Sequence, residues 1–109
     1  MPGTTSTGNS CDDCTTTVTL PFPVSLYGIP HTSVQVDSNG VLAFTQASST
    51  FTNECLPGAS YSDAIFAHWD DLRTDSAAGC ASYPGGTCGI FTGVSGSAPN
   101  RTFIVEWRA

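Results

Sequence analysis

"SVQVDSNGVLAFT", residues 33–45, decides the fold class. Val34 and Val36 alternate with polar residues, and Leu42 and Phe44 resume the alternation after Asn39-Gly40. A period of two puts one set of side chains on a single sheet face, and an Asn-Gly pair supplies the positive-φ positions of a tight turn. The segment reads as a β-hairpin, and the chain on either side of it reads in the same terms.

Upstream, "TTTVTL" (15–20) is a strand, and "PFPVSLYG" (21–28) follows with prolines that belong at a sheet edge or a bend. Downstream, "QASSTFTNECLPGASYS" (46–62) is a long polar loop, and the mostly apolar "AIFAHW" (64–69) fits a central strand buried on both faces. A loop carrying Cys80 and Cys88 comes next. "GIFTGV" (89–94), the turn "SGSAPNR" (95–101) and "TFIVEWR" (102–108) then form a second hairpin. Helical spacing of apolar residues is absent, and 11 Gly and 7 Pro punctuate the chain at short intervals. The expectation is an all-β fold, an antiparallel β-sandwich of about six to seven short strands over 15–109, behind a flexible N-terminal segment, 1–14.

The 109 residues suffice for one core. Arg73, Arg101 and Arg108 are the only fixed cations, there is no lysine, and nine acids bring the net charge to -6. Nucleic-acid binding needs clustered Lys or Arg to release counterions from phosphates, so that partner class is excluded. Attraction to an anionic membrane fails for the same reason, and no apolar run reaches the roughly 20 residues of a span. Ser and Thr make up about a quarter of the chain, so hydroxyls carry the solubility, as suits an extracellular surface. "MPGTTSTGNS" (1–10) lacks the basic and apolar regions of a signal peptide, and secretion then implies a leader outside this numbering.

Five cysteines in so short a chain fit an oxidising compartment. Cys80 and Cys88 bracket the Pro-Gly loop "ASYPGGT" and are expected to pair; the pairing of Cys11, Cys14 and Cys55 is left open, with at least one thiol lacking an intrachain partner. "CDDC" (11–14) has redox spacing, but no strand-helix context follows it, and zinc would need a second knuckle of that kind.

"AIFAHWDDLRTD" (64–75) concentrates candidate chemistry. Adjacent Asp70 and Asp71 would face opposite ways in an extended strand, so they do not read as an acid/base pair without a distant partner such as Asp37 or Glu106. The plain reading is a strand corner, one Asp accepting backbone N–H bonds and the other in solvent. Asp70, Asp71 and Asp75 are the calcium candidates, the one cofactor considered, although the D-x-D-x-D-G loop pattern is absent. His68 and His31 have no legible partner, and "GVSGS" (93–97) fails the nucleophile elbow at its last glycine, so no catalytic residue is assigned. Trp69 and Trp107 read as core aromatics on neighbouring strands; exposed, they would offer a sugar-stacking face. Asn100-Arg101-Thr102 is a glycosylation candidate at Asn100, with glycans as the attached partner.

Taken in order, "LPFPVSLYG" (20–28), "SVQVDSNGVLAF" (33–44), "NECLP" (53–57), "HWDDL" (68–72) and "GIFTGVSGSAPNRTFIVEW" (89–107) resemble the nidogen-like extracellular domain and its relatives in bacterial surface and secreted proteins. The resemblance runs from Leu20 onward, with "CDDC" outside it. It implies a β-rich extracellular module, adhesive or architectural and without catalysis. Relatives continue with further strands past "E-W", whereas this chain stops at Ala109. A sandwich short of a strand has an open edge, which a strand from a neighbouring chain would complete. Thr15, Thr16, Thr17, Val18, Thr19 and Leu20 are the candidate donor, and Phe103, Val105 and Trp107 the candidate acceptor. The expected partner is therefore another copy, in a homo-oligomer or a fibre built by strand exchange. The alternative is a carbohydrate- or surface-binding module of a larger secreted protein.

Overall fold

The computed structural model describes residues 2–57, 60–75 and 78–109. Seven strands occur among them: β1 (Thr5–Ser6), β2 (Thr15–Leu26), β3 (Ile29–Asp37), β4 (Val41–Gln46), β5 (Ser62–Phe66), β6 (Gly89–Ser97) and β7 (Asn100–Arg108). They form two antiparallel sheets, β1-β6-β7 and β2-β3-β4-β5, in a small β-sandwich.

The 33–45 hairpin is present, with Val36 opposite Leu42 and Asp37 opposite Val41. Its turn differs from the expected two-residue form. Ser38-Asn39-Gly40 make a three-residue loop in which only Gly40 has positive φ, +81°. The two-residue turn with both φ values positive lies one hairpin earlier, at Tyr27 (51°) and Gly28 (75°) between β2 and β3. β2 is an edge strand, as its prolines required, and its register with β3 shifts between Thr19 and Val24, around Pro21 and Pro23.

Alternation on β3 and β4 builds two cores. Leu20, Val34, Val36 and Ile90 fill the space between the sheets, with Phe103, Val105 and Trp107 of β7 packed against them. Val41, Ala43 and Tyr61 form the second core on the other face of the four-stranded sheet, beneath Phe66 and Trp69. The loop between β4 and β5, polar in sequence, covers that face through Tyr61 and Ala47.

Two expectations are corrected. "AIFAHW" is not a central strand: β5 stops at Phe66, pairs only with β4, and leaves Ile65 49% exposed. The 1–14 segment is not a loose tail. Thr4 N–H donates to Thr92 O (2.9 Å), Thr7 N–H to Ile90 O (2.9 Å), and Thr5–Ser6 pair with β6. Glu106 accepts the Gly3 N–H at 2.7 Å, and buried Arg108 donates to Gly3 O at 2.8 Å while lying 3.8 Å over the Phe91 ring. Arg108 and that N–H hold the Glu106 carboxyl below the usual carboxylate range. Within the candidate donor Thr15–Leu20, Thr15 to Thr19 pair with 33–37 of β3 in the chain's own sheet, and Leu20 is 8% exposed in the core.

Gly40 can be tested directly. A Cβ there would lie 2.1 Å from His68 O, in a backbone region that side chains rarely adopt. Gly40→Ala is expected to lower stability by at least about 2 kcal/mol in urea unfolding. Gly8→Ala, at φ +84° with nothing within 4 Å, should cost only the conformational part, about 1 kcal/mol.

Candidate functional site

The turn that closes the central hairpin is the polar centre of the molecule. Asp37, Ser38 and Asn39 are each 0% exposed, and a buried polar group is tolerated only when bonded. Asp37 Oδ1 accepts from Asn39 N–H (2.9 Å) and Ser49 Oγ (3.1 Å), Oδ2 accepts from the Tyr61 hydroxyl, and its carbonyl accepts from Trp107 Nε1 (2.7 Å). Ser38 Oγ donates to Asp12 O (2.6 Å) and accepts from Cys14 N–H (3.1 Å). Asn39 donates to Asp13 Oδ1 (2.9 Å) and accepts from Leu72 N–H (3.0 Å). Burial and the Asp37 carboxyl together push the Tyr61 hydroxyl well above the usual tyrosine range.

The accessible surface lies on the other side. β7 is the last strand of its sheet, with nothing beyond it among the described residues. Ile90 and Thr92 turn their carbonyls to the N-terminal arm, so by antiparallel alternation the backbone groups of Phe103, Val105 and Trp107 point to the free edge. Against β7 lies a groove of about 380 Å³, lined by Leu20, Phe22, Phe44, Ile65, Phe103 and Val105 among others. Arg101 lies at this groove, its guanidinium 4.6 Å above the Phe22 ring. The other two arginines are engaged elsewhere, Arg73 with Asp75 (2.7 Å) and Arg108 with Glu106 (3.1 Å).

The family model described as NIDO related matches residues 1–109. The chain belongs to the NIDO-related family. No curated protein and no solved structure matches it significantly. Domains of this family are typically extracellular, and two disulfides fit that setting. The family match also takes in the "CDDC" segment, which lies outside the motifs that carry the resemblance.

Within this NIDO-related domain the sequence candidates are dispersed. Cys80 pairs with Cys88, Cα to Cα 5.0 Å, as expected; Cys11 pairs with Cys14, and Cys55 is free and exposed. Asp75 is held by Arg73 Nε (3.0 Å) and Nη2 (2.7 Å), which keep its carboxyl below the usual range. Asp70 Oδ1 accepts the Asp71 N–H at 2.9 Å, the expected corner role, made in a bend after β5 rather than within a strand. Asp71 joins Asp12 and Asp13 in an exposed group whose oxygens lie within 4.8 Å of one another. The calcium candidates are thus divided among separate partners.

His68 and Asp70 are 4.0 Å apart, with side chains 74% and 65% exposed. The distant acids considered beside them are occupied, Asp37 in the buried turn and Glu106 with Arg108. The His31 and Phe44 rings meet at a tilt of 50°, centroids 4.9 Å apart. Trp69 and Trp107 are half-buried but not on neighbouring strands: Trp69 belongs to the outer core, with Nε1 on Thr50 O (3.1 Å), and Trp107 to the inner one. Asn100 is exposed at the β6–β7 turn.

The residues that the sequence reading passed over are Tyr61, Ser49 and Asn9. Asn9, 2% exposed, donates to Cys14 O (3.3 Å) and Thr16 Oγ1 (3.1 Å) and accepts from Thr74 Oγ1 (2.6 Å). Each lies in a Ser/Thr/Gly-rich stretch that reads as solvated.

Tyr61→Phe leaves Asp37 Oδ2 without its hydroxyl donor and is expected to cost about 1–3 kcal/mol. Because the folded Tyr61 pKa is raised above the unfolded one, its contribution is complete below the ordinary tyrosine range and fades as pH rises through it. Urea unfolding at increasing alkaline pH should therefore fall more steeply for the parent than for Tyr61→Phe; parallel curves would remove Tyr61 as the cause.

Proposed function

We propose that this chain is a non-enzymatic extracellular structural and adhesive module that associates with copies of itself by adding strand to strand along β7. The free β7 edge above an apolar groove carries this reading. The sheet has other edges, but each is guarded. β1 has two residues, β5 five, and β2 carries Pro21 and Pro23 at its register shift. Short strands, prolines and irregularities are the usual protection against edge pairing. β7 spans nine residues in unbroken register with β6 and contains no proline.

The partner strand that fits best is β7 of a second copy. Two such strands running antiparallel pair the outward backbone groups of Phe103, Val105 and Trp107 with their equivalents, an isologous contact. Each added backbone bond contributes about 0.5–1.5 kcal/mol net, and covering the apolar groove adds to that. Donation of Thr15–Leu20 is the less favourable route, since it would first break the five paired positions from Thr15 to Thr19 between β2 and β3. It would also expose Leu20. A fibre built by strand exchange would need that opening, whereas edge addition uses the fold as it stands.

Sedimentation across a concentration series, in a Cys55→Ser background that excludes covalent links, tests the reading. The parent should pass from monomer to dimer. Val105→Pro, which removes an outward N–H without taking a bond from β6, should remain monomeric. So should Thr102→Lys, which places a charge at the groove, with near-ultraviolet circular dichroism unchanged. A parent that is monomeric at its solubility limit, or variants that dimerise equally, would overturn it.

A further inference from the structure

The chain carries one exposed thiol, Cys55, and one half-buried Cys-x-x-Cys disulfide, Cys11–Cys14. Two features make that disulfide asymmetric. The Asn9 side chain, in a residue 2% exposed, shares one amide N–H between Cys14 O (3.3 Å) and Cys14 Sγ (3.4 Å). Cys14 is also bonded through its backbone, N–H to Ser38 Oγ (3.1 Å) and carbonyl to Ser38 N–H (2.9 Å). A donor on one sulfur stabilises negative charge there, and a sulfur that bears charge well is the better leaving group in thiol–disulfide exchange. The other disulfide offers less, because Cys80 is 6% exposed.

We propose that Cys11–Cys14 is an exchangeable disulfide, opened at Cys11 by the Cys55 thiol of a second copy to link two chains covalently. The Cys55 thiolate gives its electron pair to Cys11 Sγ. The Cys11–Cys14 bond breaks, and its pair leaves on Cys14 Sγ beside the Asn9 amide. The proton lost by Cys55 is matched by the one Cys14 gains, so one disulfide replaces another and no oxidant is consumed.

A second molecule is the partner because each loop is fastened at its own site. Cys11 is held by Thr74, whose N–H and hydroxyl meet its backbone at 2.9 and 3.1 Å. The Cys55 loop is held by Asn53 on Trp69 O (3.0 Å) and by Thr50 on the Tyr61 hydroxyl (3.2 Å). The approach is opposed by exposed Asp12, Asp13 and Asp71, so salt should accelerate it by screening. The link is separate from β7 pairing and stands or falls without it.

The experiment uses purified monomer at mildly alkaline pH, under argon with a chelator, so that oxidative coupling has no oxidant. Iodoacetamide quenching, non-reducing electrophoresis and peptide mass mapping read the products. A dimer joined Cys55 to Cys11, with Cys14 alkylated and with yield rising in salt, is expected. Cys55→Ser should abolish it, and a glutathione adduct on that variant should fall on Cys11. No dimer, a Cys55–Cys55 link, attachment at Cys14, or a Cys55–Cys11 bond within one chain would each overturn the proposal.

Discussion

The fold depends on keeping three consecutive polar side chains, Asp37, Ser38 and Asn39, completely out of water. Desolvating each costs several kcal/mol unless it is bonded, so the segments that cover the turn must bring matching donors and acceptors. They do so from four directions: Cys14 and Asp12 for Ser38, Asp13 and Leu72 for Asn39, Tyr61 and Ser49 for the Asp37 carboxyl, and Trp107 for the Asp37 carbonyl. Gly40 completes the arrangement, its carbonyl accepting from Ala67 (3.2 Å) and His68 (3.1 Å). One hairpin turn thereby sets the positions of the N-terminal segment, both long loops and the second sheet. Sequence-local chemistry makes the turn, and long-range bonds make it the centre.

The same turn shows what could be read from sequence and what could not. The hairpin was legible because alternation has a fixed period, and the all-β class followed from many such runs. The Cys80–Cys88 pair was legible from its loop. The burial of the turn was not, because Asp-Ser-Asn-Gly normally faces water, and nothing local tells a solvated turn from one roofed by distant chain. The second core stayed hidden for the same reason. Tyr61, at the end of a stretch rich in Ser and Thr, closes it over Val41 and Ala43, and its bond to Asp37 spans 24 residues. β5 was misplaced because a short apolar run reads alike for a central strand and for an edge strand with one face under a loop. The N-terminal arm has no alternating apolar pattern, and its docking rests on backbone bonds and on Glu106 and Arg108, about a hundred residues away.

Hydroxyls and amides do in this chain what ion pairs do elsewhere. With only three arginines, the two closest ion pairs among the described residues are Arg73–Asp75 at the surface and Arg108–Glu106 under the arm. The first is exposed and contributes little to stability. The second also grips both backbone groups of Gly3. A Cβ on Gly3 would meet the Phe91 backbone at 2.7 Å, so this clamp accepts an unsubstituted backbone and fixes the arm in one register. Neutral groups hold the remainder: Thr7 on Ile90 O, Thr74 on Asn9, Ser38 on Asp12 O. Such bonds between neutral groups are little affected by salt.

The two faces of the four-stranded sheet are finished differently, and that contrast bears on function. On the outer face, Val41 and Ala43 are fully covered by a loop whose polar groups are bonded into the buried turn. On the inner face, β1, β6 and β7 cover Val34 and Val36 completely but leave Phe44 and Ile65 lining an open groove. A chain able to roof one face with a loop was not short of means to roof the other. The opening coincides with the one long edge lacking proline or bulge, and with the arginine that no carboxylate engages among the described residues. An apolar floor, a row of unpaired backbone groups and a cation at the rim coincide at β7, and that coincidence is what supports the proposed addition of a strand there.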